Sequence, residues 1–168
     1  MKTLYLLRHA KSSWDNTDLA DFERPLNSRG LDAARFIGEL IYERNLNPQI
    51  IISSPAKRAK QTAVLVKELA EISKTVEFDE RIYEASPLTL FNLIREFDEK
   101  QESVLIVGHN PGFENLVRML TGETVSMPTA ALAKINLNIK KWSEIETGAN
   151  ELEFLIRPKD EMKKSTTN

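Results

Sequence analysis

Two histidines are the side chains of this sequence best suited to chemistry. They are the only histidines in the chain, which contains no cysteine. Each follows a short apolar run: Leu4 to Leu7 precedes His9, and Val104 to Val107 precedes His109. An imidazole can serve as nucleophile, acid, base or metal ligand, whereas the lack of cysteine excludes disulfides, thiolate zinc sites and cysteine nucleophiles. His9 and His109 are therefore the first candidates for a reactive site.

Arginine side chains are expected beside these histidines. Arg8 directly precedes His9, and Arg58 lies in the first turn of a predicted helix. Because helical side chains lean toward the helix N-terminus, Arg58 should reach back toward the preceding strand end. Two predicted helices start at Ser54-Pro55 and Asn110-Pro111, each with an N-cap residue followed by proline as the first helical residue. These helix starts would add free N–H groups and the positive end of a dipole. A guanidinium group can bond two phosphate oxygens at once, so this combination predicts a phosphate site.

The expected reaction is phosphoryl transfer through His9. Nearby guanidinium groups disfavour the imidazolium form, so His9 should stay neutral and nucleophilic. We expect His9 to accept the phosphoryl group as a phosphohistidine, while Arg8, Arg58 and His109 hold that group and stabilise its charge. A metal site would need a further ligand, and the two arginines oppose a divalent cation. We therefore predict no metal and no cofactor.

The elements that must position these residues alternate between strands and helices. Continuous apolar runs, typical of strands buried on both faces, occur at Leu4 to Leu7, Ile50 to Ile52 and Val104 to Val107. Helical spacing is found over Ser28 to Arg44, from Pro55 onward, over Leu88 to Phe97 and from Pro111 onward. This alternation predicts an α/β fold, a three-layer sandwich with a mainly parallel central sheet. The carboxyl ends of its strands would form the crevice that contains both histidines.

The last third of the chain has a different pattern. Ala131 to Ile139 and Glu151 to Ile156 predict two strands, joined by a segment that contains Gly148. We expect them to form a C-terminal antiparallel hairpin at one edge of the sheet. The length of 168 residues fits a single domain. We place that domain at residues 1–158 and expect residues 159–168 to be a polar, mobile tail.

Composition excludes several classes of function. The chain has 23 Lys and Arg residues against 25 Asp and Glu residues, a net charge of −2. This balance offers no basic footprint for nucleic acid and no polybasic membrane anchor. The N-terminus lacks a signal-peptide pattern, and no apolar stretch is long enough to span a membrane. We expect a cytoplasmic protein without a nucleic-acid or membrane partner.

Three segments of the chain, in order, form recognisable signatures. They are Leu7-Arg8-His9-Ala10-Lys11-Ser12, the segment from Ser54 to Ala63, and Gly108-His109-Asn110-Pro111. These segments resemble the three motifs of the histidine phosphatase superfamily, also called phosphoglycerate-mutase-like. The short length, the segment from Arg24 to Gly30 and the segment from Met127 to Ala131 make the chain similar to the SixA-type phosphohistidine phosphatases within that superfamily.

This resemblance implies a phosphoglycerate-mutase-like fold and a metal-independent phosphatase. The residue matching His9 attacks phosphorus, and water then hydrolyses the phosphohistidine. The residues matching Arg8, Arg58 and His109 bind the phosphoryl group. The SixA likeness implies a phosphorylated protein as substrate, with phosphohistidine in a phosphorelay or phosphotransfer protein. Ala10 stands where the superfamily commonly has glycine.

Glu84 is the candidate general acid. Many phosphomonoesterases of the superfamily use a carboxylic acid to protonate the leaving alkoxide, and Glu84 lies at about the matching place without the usual flanking pattern. An imidazole that leaves from phosphohistidine needs such an acid less. Two alternatives stay open. The substrate could instead be a small phosphomonoester such as a sugar phosphate, or the chain could be a module that senses phosphorylated partners without turnover.

The polar segment from Ala10 to Asn27 is long for a connection between a strand and a helix. Long loops at such positions often carry function. Within it, Arg24 either contacts substrate or pins the loop through an ion pair, and Ser12 either contacts substrate or bonds the local backbone. We expect Trp14 to pack rather than to recognise a ligand.

Overall fold

Six strands form the central sheet of the structure, a computed structural model that describes the backbone of residues 1–166 and the side chains of residues 1–162. The strands are β1 (Lys2–Arg8), β2 (Ile50–Ser53), β3 (Glu77–Phe78), β4 (Ser103–Gly108), β5 (Leu132–Leu137) and β6 (Glu151–Ile156). Their order across the sheet is β3-β2-β4-β1-β5-β6. The first four in that order pair in parallel, whereas β5 and β6 pair antiparallel. The expected mainly parallel sheet with an antiparallel hairpin at one edge is confirmed.

Helices cover both faces of this sheet, which gives the expected three layers. Helices α1 (Ser28–Glu43) and α2 (Lys57–Leu69) pack on one face, and α3 (Pro87–Arg95) and α4 (Gly112–Thr121) pack on the other. Side chains of β1 alternate between the two cores, because successive side chains of a strand point to opposite faces. Leu4 and Leu6 join the core under α3 and α4, and Tyr5 and Leu7 join the core under α1 and α2. Burial on both sides explains why the strand sequences are continuous apolar runs.

The register of β1 and β4 places the two histidines side by side. Arg8 pairs with Gly108, so each histidine is the first residue beyond the same pair. The backbone N–H of His9 donates to the carbonyl of Gly108 at 3.0 Å. Ser53 at the end of β2 pairs with Val107, which brings the start of α2 to the same edge of the sheet.

The long loop after β1 is tied to the body of the protein at its ends. The backbone N–H of Asn27 donates to the carbonyl of Lys11 at 3.0 Å, and the N–H of Leu26 donates to Gln61 of α2 at 2.8 Å. Gly30 permits this approach, since any side chain there would collide with the Lys11 carbonyl. The middle of the loop forms a short 3-10 turn over Asp21–Glu23. These hydrogen bonds therefore fix the loop to the rest of the protein.

Two elements differ from the sequence-based expectation. The segment predicted as a polar tail forms helix α5 (Pro158–Thr166), and residues 167–168 of that tail lie outside the described residues. Arg44, which follows α1, donates to Glu161 of α5 at 3.0 Å, an ion pair between distant parts of the chain. The short strand β3 was not expected, because its two residues, Glu77–Phe78, form no apolar run. The end of the domain at residue 158 stays a prediction.

Candidate active site

The ends of β1, β2 and β4 meet at one crevice, as the sequence predicts. The ring centroids of His9 and His109 are 5.1 Å apart. Arg58 enters from the first turn of α2, and its Nε lies 3.4 Å from His9 Nε2. Its Nη2 lies 3.5 Å from His109 Nδ1. All three side chains are buried, so the structure brings together two imidazoles and a guanidinium that have little exposure to solvent.

His9 is held in the tautomer that leaves Nε2 free to react. Its Nδ1 lies 2.7 Å from the carbonyl oxygen of Ala10, which can only accept a hydrogen bond. Nδ1 therefore carries the hydrogen, and Nε2 keeps its lone pair. The pKa of His9 is lowered to about 4, chiefly by burial; the Ala10 hydrogen bond opposes this shift, and the charges of Arg58, Arg8 and Arg24 contribute to it. His9 is neutral as expected, but burial contributes more to this than the arginines do.

His109 is anchored on the opposite side of the crevice by Ser54. Its Nε2 lies 2.7 Å from Ser54 Oγ, while Nδ1 is on the side facing Arg58. Burial is the largest cause that lowers the pKa of His109 to about 3, followed by electrostatic coupling to the neighbouring His9 ring and by the charge of Arg58. A hydroxyl can donate or accept, so Ser54 accommodates the tautomer in which Nδ1 carries the hydrogen. In that tautomer the neutral His109 ring can donate to an anion in the crevice.

The two helix starts differ from the predicted capping pattern. Helix α2 begins at Lys57 and α4 at Gly112, each later than the proline expected as the first helical residue. Ser54 Oγ accepts from the N–H of Ala56 at 3.2 Å, so Ser54 turns the chain before α2 instead of capping it. The predicted cap residue contacts His109 because the tight turn aims its hydroxyl into the crevice. Sequence reasoning missed this contact.

Arg8 is the last residue of β1 and is half-buried. Its Nη1 donates to the carbonyl of Met127 at 3.1 Å. That segment is fixed in turn by Asn110, which donates to the same carbonyl at 2.8 Å, and by Glu114, which accepts from the Met127 N–H at 2.7 Å. The buried Nε of Arg8 has no hydrogen-bond partner among residues 1–162. A donor left without a partner is costly, and an anion in the crevice would be a suitable acceptor.

Arg24 and Ser12 are buried together within the long loop. Arg24 Nη1 donates to Ser12 Oγ at 2.7 Å, and its Nε and Nη2 donate to Asp21 Oδ1 at 3.2 and 3.1 Å. The guanidinium carbon lies 3.5 Å from the ring centroid of Trp14, which is 72% exposed. For Arg24 the contacts favour pinning of the loop through an ion pair, whereas the Ser12 hydroxyl bonds the Arg24 side chain and not the local backbone that was expected. Trp14 contacts Arg24, and its packing role stays a prediction.

Asp21 and Tyr83 are parts of the site that sequence reasoning missed. The Asp21 carboxylate accepts from Arg58 Nη2 at 3.0 Å and from the Tyr83 hydroxyl at 2.7 Å. The hydrogen bond from Tyr83 is the largest cause that lowers the pKa of Asp21 to about 2, and Arg58 and Arg24 lower it further. Asp15 and Asp18 lie in the same loop. Nothing in the sequence distinguishes Asp21 from them.

Glu84 lies at the mouth of the crevice. It is exposed, and its backbone has a φ of 54°, in the left-handed region that few side chains adopt. Glu84, His109, Asn110 and Pro111 are among the residues lining a cleft of about 420 Å³. The structure therefore places the candidate acid at a cleft that His109 also lines, and none of the hydrogen bonds of the two imidazole rings within residues 1–162 goes to Glu84.

Two features of other protein classes are absent from the described part of the chain. No group of three or more histidine, aspartate or glutamate side chains is arranged to hold a metal ion there. Nor does any helix in that part combine the length and apolar character needed to cross a membrane.

The comparison with protein families shows the family of this chain. The model of the histidine phosphatase superfamily (branch 1) matches residues 4–89, more than half of the chain. The chain belongs to the histidine phosphatase superfamily. The matched region contains Arg8, His9 and Arg58, and His109 lies beyond it. With its phosphatase relatives, this membership makes the protein a phosphatase of the hydrolase class.

Two relatives of this histidine phosphatase carry the SixA name. The crystal structure of an Agrobacterium tumefaciens protein assigned as the phosphohistidine phosphatase SixA superimposes with a TM-score of 0.80 at 29% identity, covering 94% of this chain and 98% of that one. Phosphohistidine phosphatase SixA of Escherichia coli (strain K12) is 27% identical over 142 residues, which is 80% of this chain and 85% of the relative.

A mycobacterial glucosyl-3-phosphoglycerate phosphatase has the same fold. It superimposes with a TM-score of 0.66 over 92% of this chain and 98% of that one. Its identity is 17%, so the likeness concerns the fold alone.

Proposed function

We propose that this histidine phosphatase hydrolyses phosphohistidine in a protein of a phosphorelay or phosphotransfer system. The observation that carries the proposal is the unprotonated Nε2 of His9, which accepts a long hydrogen bond from Arg58 Nε at 3.4 Å while Nδ1–H is held by Ala10. A neutral imidazole aimed at a cationic pocket is a competent acceptor for a phosphoryl group. The similarity to proteins named phosphohistidine phosphatase SixA supports the same substrate class.

The reaction proceeds in two displacements at phosphorus. His9 Nε2 forms a bond to phosphorus as the bond to the substrate imidazole nitrogen breaks, and the departing imidazole gains a proton from solvent or from a group at the pocket mouth. Water then attacks the phosphohistidine on His9, losing a proton, and inorganic phosphate leaves as Nε2 regains its lone pair. In each step the attacking and leaving atoms lie in line at phosphorus, so positioning and charge stabilisation supply most of the catalysis.

Three side chains surround the place where the phosphoryl oxygens would lie. Arg58 directs Nε and Nη2 toward the two imidazole rings, Arg8 has its Nε without a partner among the described residues, and His109 turns Nδ1 inward. Donors fixed before the reaction stabilise the charge that develops in the transition state. Arg24, held through Ser12 within the loop, adds positive charge near the site without needing to touch substrate.

A rapid-quench experiment tests the covalent step. Wild-type protein and His9→Ala are mixed with a peptide carrying radiolabelled phosphohistidine, and each sample is quenched within milliseconds. We expect label on the wild-type protein alone, stable in base and labile in acid, because the phosphorus–nitrogen bond of a phosphohistidine has that stability. Absence of label on wild type during measurable turnover would contradict the mechanism. Tight phosphate binding with no turnover of any phosphorylated substrate would instead favour a phosphate-sensing module.

The second candidate substrate is a small phosphomonoester such as a sugar phosphate. The position of Glu84 favours this substrate, because the residue lines the cleft beside His109 through which an alkoxide would leave. An alkoxide is a poor leaving group and needs a proton from a positioned acid, a contribution of about 10²–10⁴-fold.

Glu84→Gln separates the two substrates. If phosphohistidine is the substrate, we expect its hydrolysis to change by less than about threefold, because imidazole leaves with little help from an acid. Initial rates on a phosphohistidine peptide and on a series of alkyl phosphates measure the difference. Glu80→Gln, another exposed glutamate of the same segment, is the matched control. A loss above about 100-fold for alkyl phosphates that the wild type hydrolyses efficiently would support the phosphomonoester instead.

A further inference from the structure

The guanidinium group of Arg58 has two edges that face different partners. Its Nε and Nη2 face the ring nitrogens of His9 and His109 at 3.4 and 3.5 Å. On the other edge, Nη1 donates to the backbone carbonyl of Asp21 at 2.7 Å, and Nη2 donates to the Asp21 carboxylate at 3.0 Å. The Nη2 amino group has two hydrogens, so it can serve both edges at once. The shorter and stronger bonds all go to one residue of the long loop.

Asp21 is itself held on both of its carboxylate oxygens. Oδ1 accepts from Nε and Nη2 of Arg24, and Oδ2 accepts from the Tyr83 hydroxyl as well as from Arg58. Tyr83 stands edge-on to His109, with ring centroids 5.5 Å apart, and edge-on to Phe22 at 5.2 Å. The carboxylate is therefore fixed by groups from three parts of the chain, even though the Asp21 side chain is about half exposed.

We propose that Asp21 is a positioning residue, which clamps the outer edge of Arg58 so that the Nε–Nη2 edge points at the phosphoryl group between His9 and His109. An arginine side chain has several rotatable bonds, and ordering them costs entropy. The clamp completes that ordering before substrate binds, which is how preorganised donors gain their effect. The inference rests on the proposed function in so far as Arg58 binds the transferring phosphoryl group.

A competing interpretation makes the Asp21 carboxylate a plug that occupies the anion site. The contacts oppose it. Asp21 accepts hydrogen bonds from Nη1 and from the outer side of Nη2, whereas the Nε–Nη2 edge still faces the two imidazole rings. The two interpretations predict opposite effects. Removal of a clamp weakens phosphoryl binding and slows turnover, whereas removal of a plug strengthens anion binding.

A double-mutant cycle on Asp21 and Arg58 tests the clamp. The variants Asp21→Ala, Arg58→Ala and the double variant are compared with wild type for phosphohistidine turnover and for the inhibition constant of tungstate, a tetrahedral oxyanion. We expect Asp21→Ala to lower kcat/KM about 10- to 100-fold in the wild-type background. In the Arg58→Ala background the same substitution should lower kcat/KM by less than about threefold, because a residue that acts only through Arg58 then has nothing left to position. The tungstate constants should follow the same pattern.

Two further variants make the test specific. Asp18→Ala removes another exposed aspartate of the same loop and should leave turnover unchanged. Tyr83→Phe removes only the hydroxyl that bonds Asp21, so it should lower turnover severalfold, and it replaces Asp21→Ala if that variant does not fold. Equal losses in both Arg58 backgrounds would show a general role in loop structure and overturn the proposal. Tighter tungstate binding in Asp21→Ala would establish the plug instead.

Failure of the clamp and failure of the proposed function give different results. If wild type binds tungstate but does not turn over phosphohistidine, the substrate assignment is wrong. The tungstate cycle then decides the role of Asp21 by itself.

Discussion

Replacement of His9 by alanine is expected to lower kcat/KM for phosphohistidine by about 10⁴-fold or more, since the nucleophile of a covalent mechanism is lost. The fold should survive, because the hydrogen bonds of the ring within residues 1–162 go to the neighbouring Ala10 carbonyl and to one edge of Arg58. Steady-state kinetics with a phosphohistidine peptide, together with a thermal melt, measure both effects. Tungstate should still bind His9→Ala, because Arg8, Arg58 and His109 remain.

Lys11→Ala is the matched control for His9→Ala. Lys11 lies two residues further along the chain with an exposed side chain, so its loss should change turnover by less than about twofold, as for most surface substitutions. Turnover by His9→Ala within about tenfold of wild type, with the fold intact, would show that the phosphoryl group is not transferred to this residue. Water would then have to attack the substrate directly.

Arg58→Ala is the second substitution with a large expected effect. It removes the donor that faces both imidazole rings, so kcat/KM should fall about 10²- to 10³-fold, comparable to the loss of a donor in an oxyanion hole. Arg58→Lys keeps the charge but cannot offer two parallel N–H groups, and we expect it to recover only part of the loss. Full activity in Arg58→Ala would remove this residue from the phosphate site.

The pH profile gives an independent measurement on the same variant. Turnover needs neutral His9, whose pKa is lowered to about 4, chiefly by burial and in part by Arg58. The acid limb of kcat/KM for wild type should therefore lie near pH 4 and not near the ordinary histidine value. Loss of the Arg58 charge and entry of water both raise the His9 pKa, so the acid limb of Arg58→Ala should move to higher pH. A limb that stays in place would show that Arg58 does not influence His9.

The sequence alone predicted the fold class and the main site residues for clear physical reasons. Continuous apolar runs require burial on both faces, which a parallel sheet between two helical layers supplies. The histidines follow two of these runs, and strand ends of such a sheet meet at one crevice. The sequence therefore predicts that His9, His109 and Arg58 lie together, since their positions follow from local pattern and topology.

Other features depend on contacts between residues far apart in the chain. Helix α5 is polar in sequence, and its ion pair with Arg44 bridges 117 positions. Ser54 looked like a helix cap because its neighbours form a capping pattern, but the turn before α2 directs its hydroxyl to His109. No periodicity or spacing reports such a contact.

For the reactive centre, the sequence determined the residue types and the strand ends on which they lie. Only the tertiary structure decided which nitrogen of His9 is free, because that depends on the carbonyl placed against Nδ1. It also decided that burial exceeds the arginine charges in keeping His9 neutral, since burial is a property of the packed protein. The choice of Asp21 as the partner of Arg58 was decided there too, because a loop carrying several aspartates brings only this one to the guanidinium when it folds against α2.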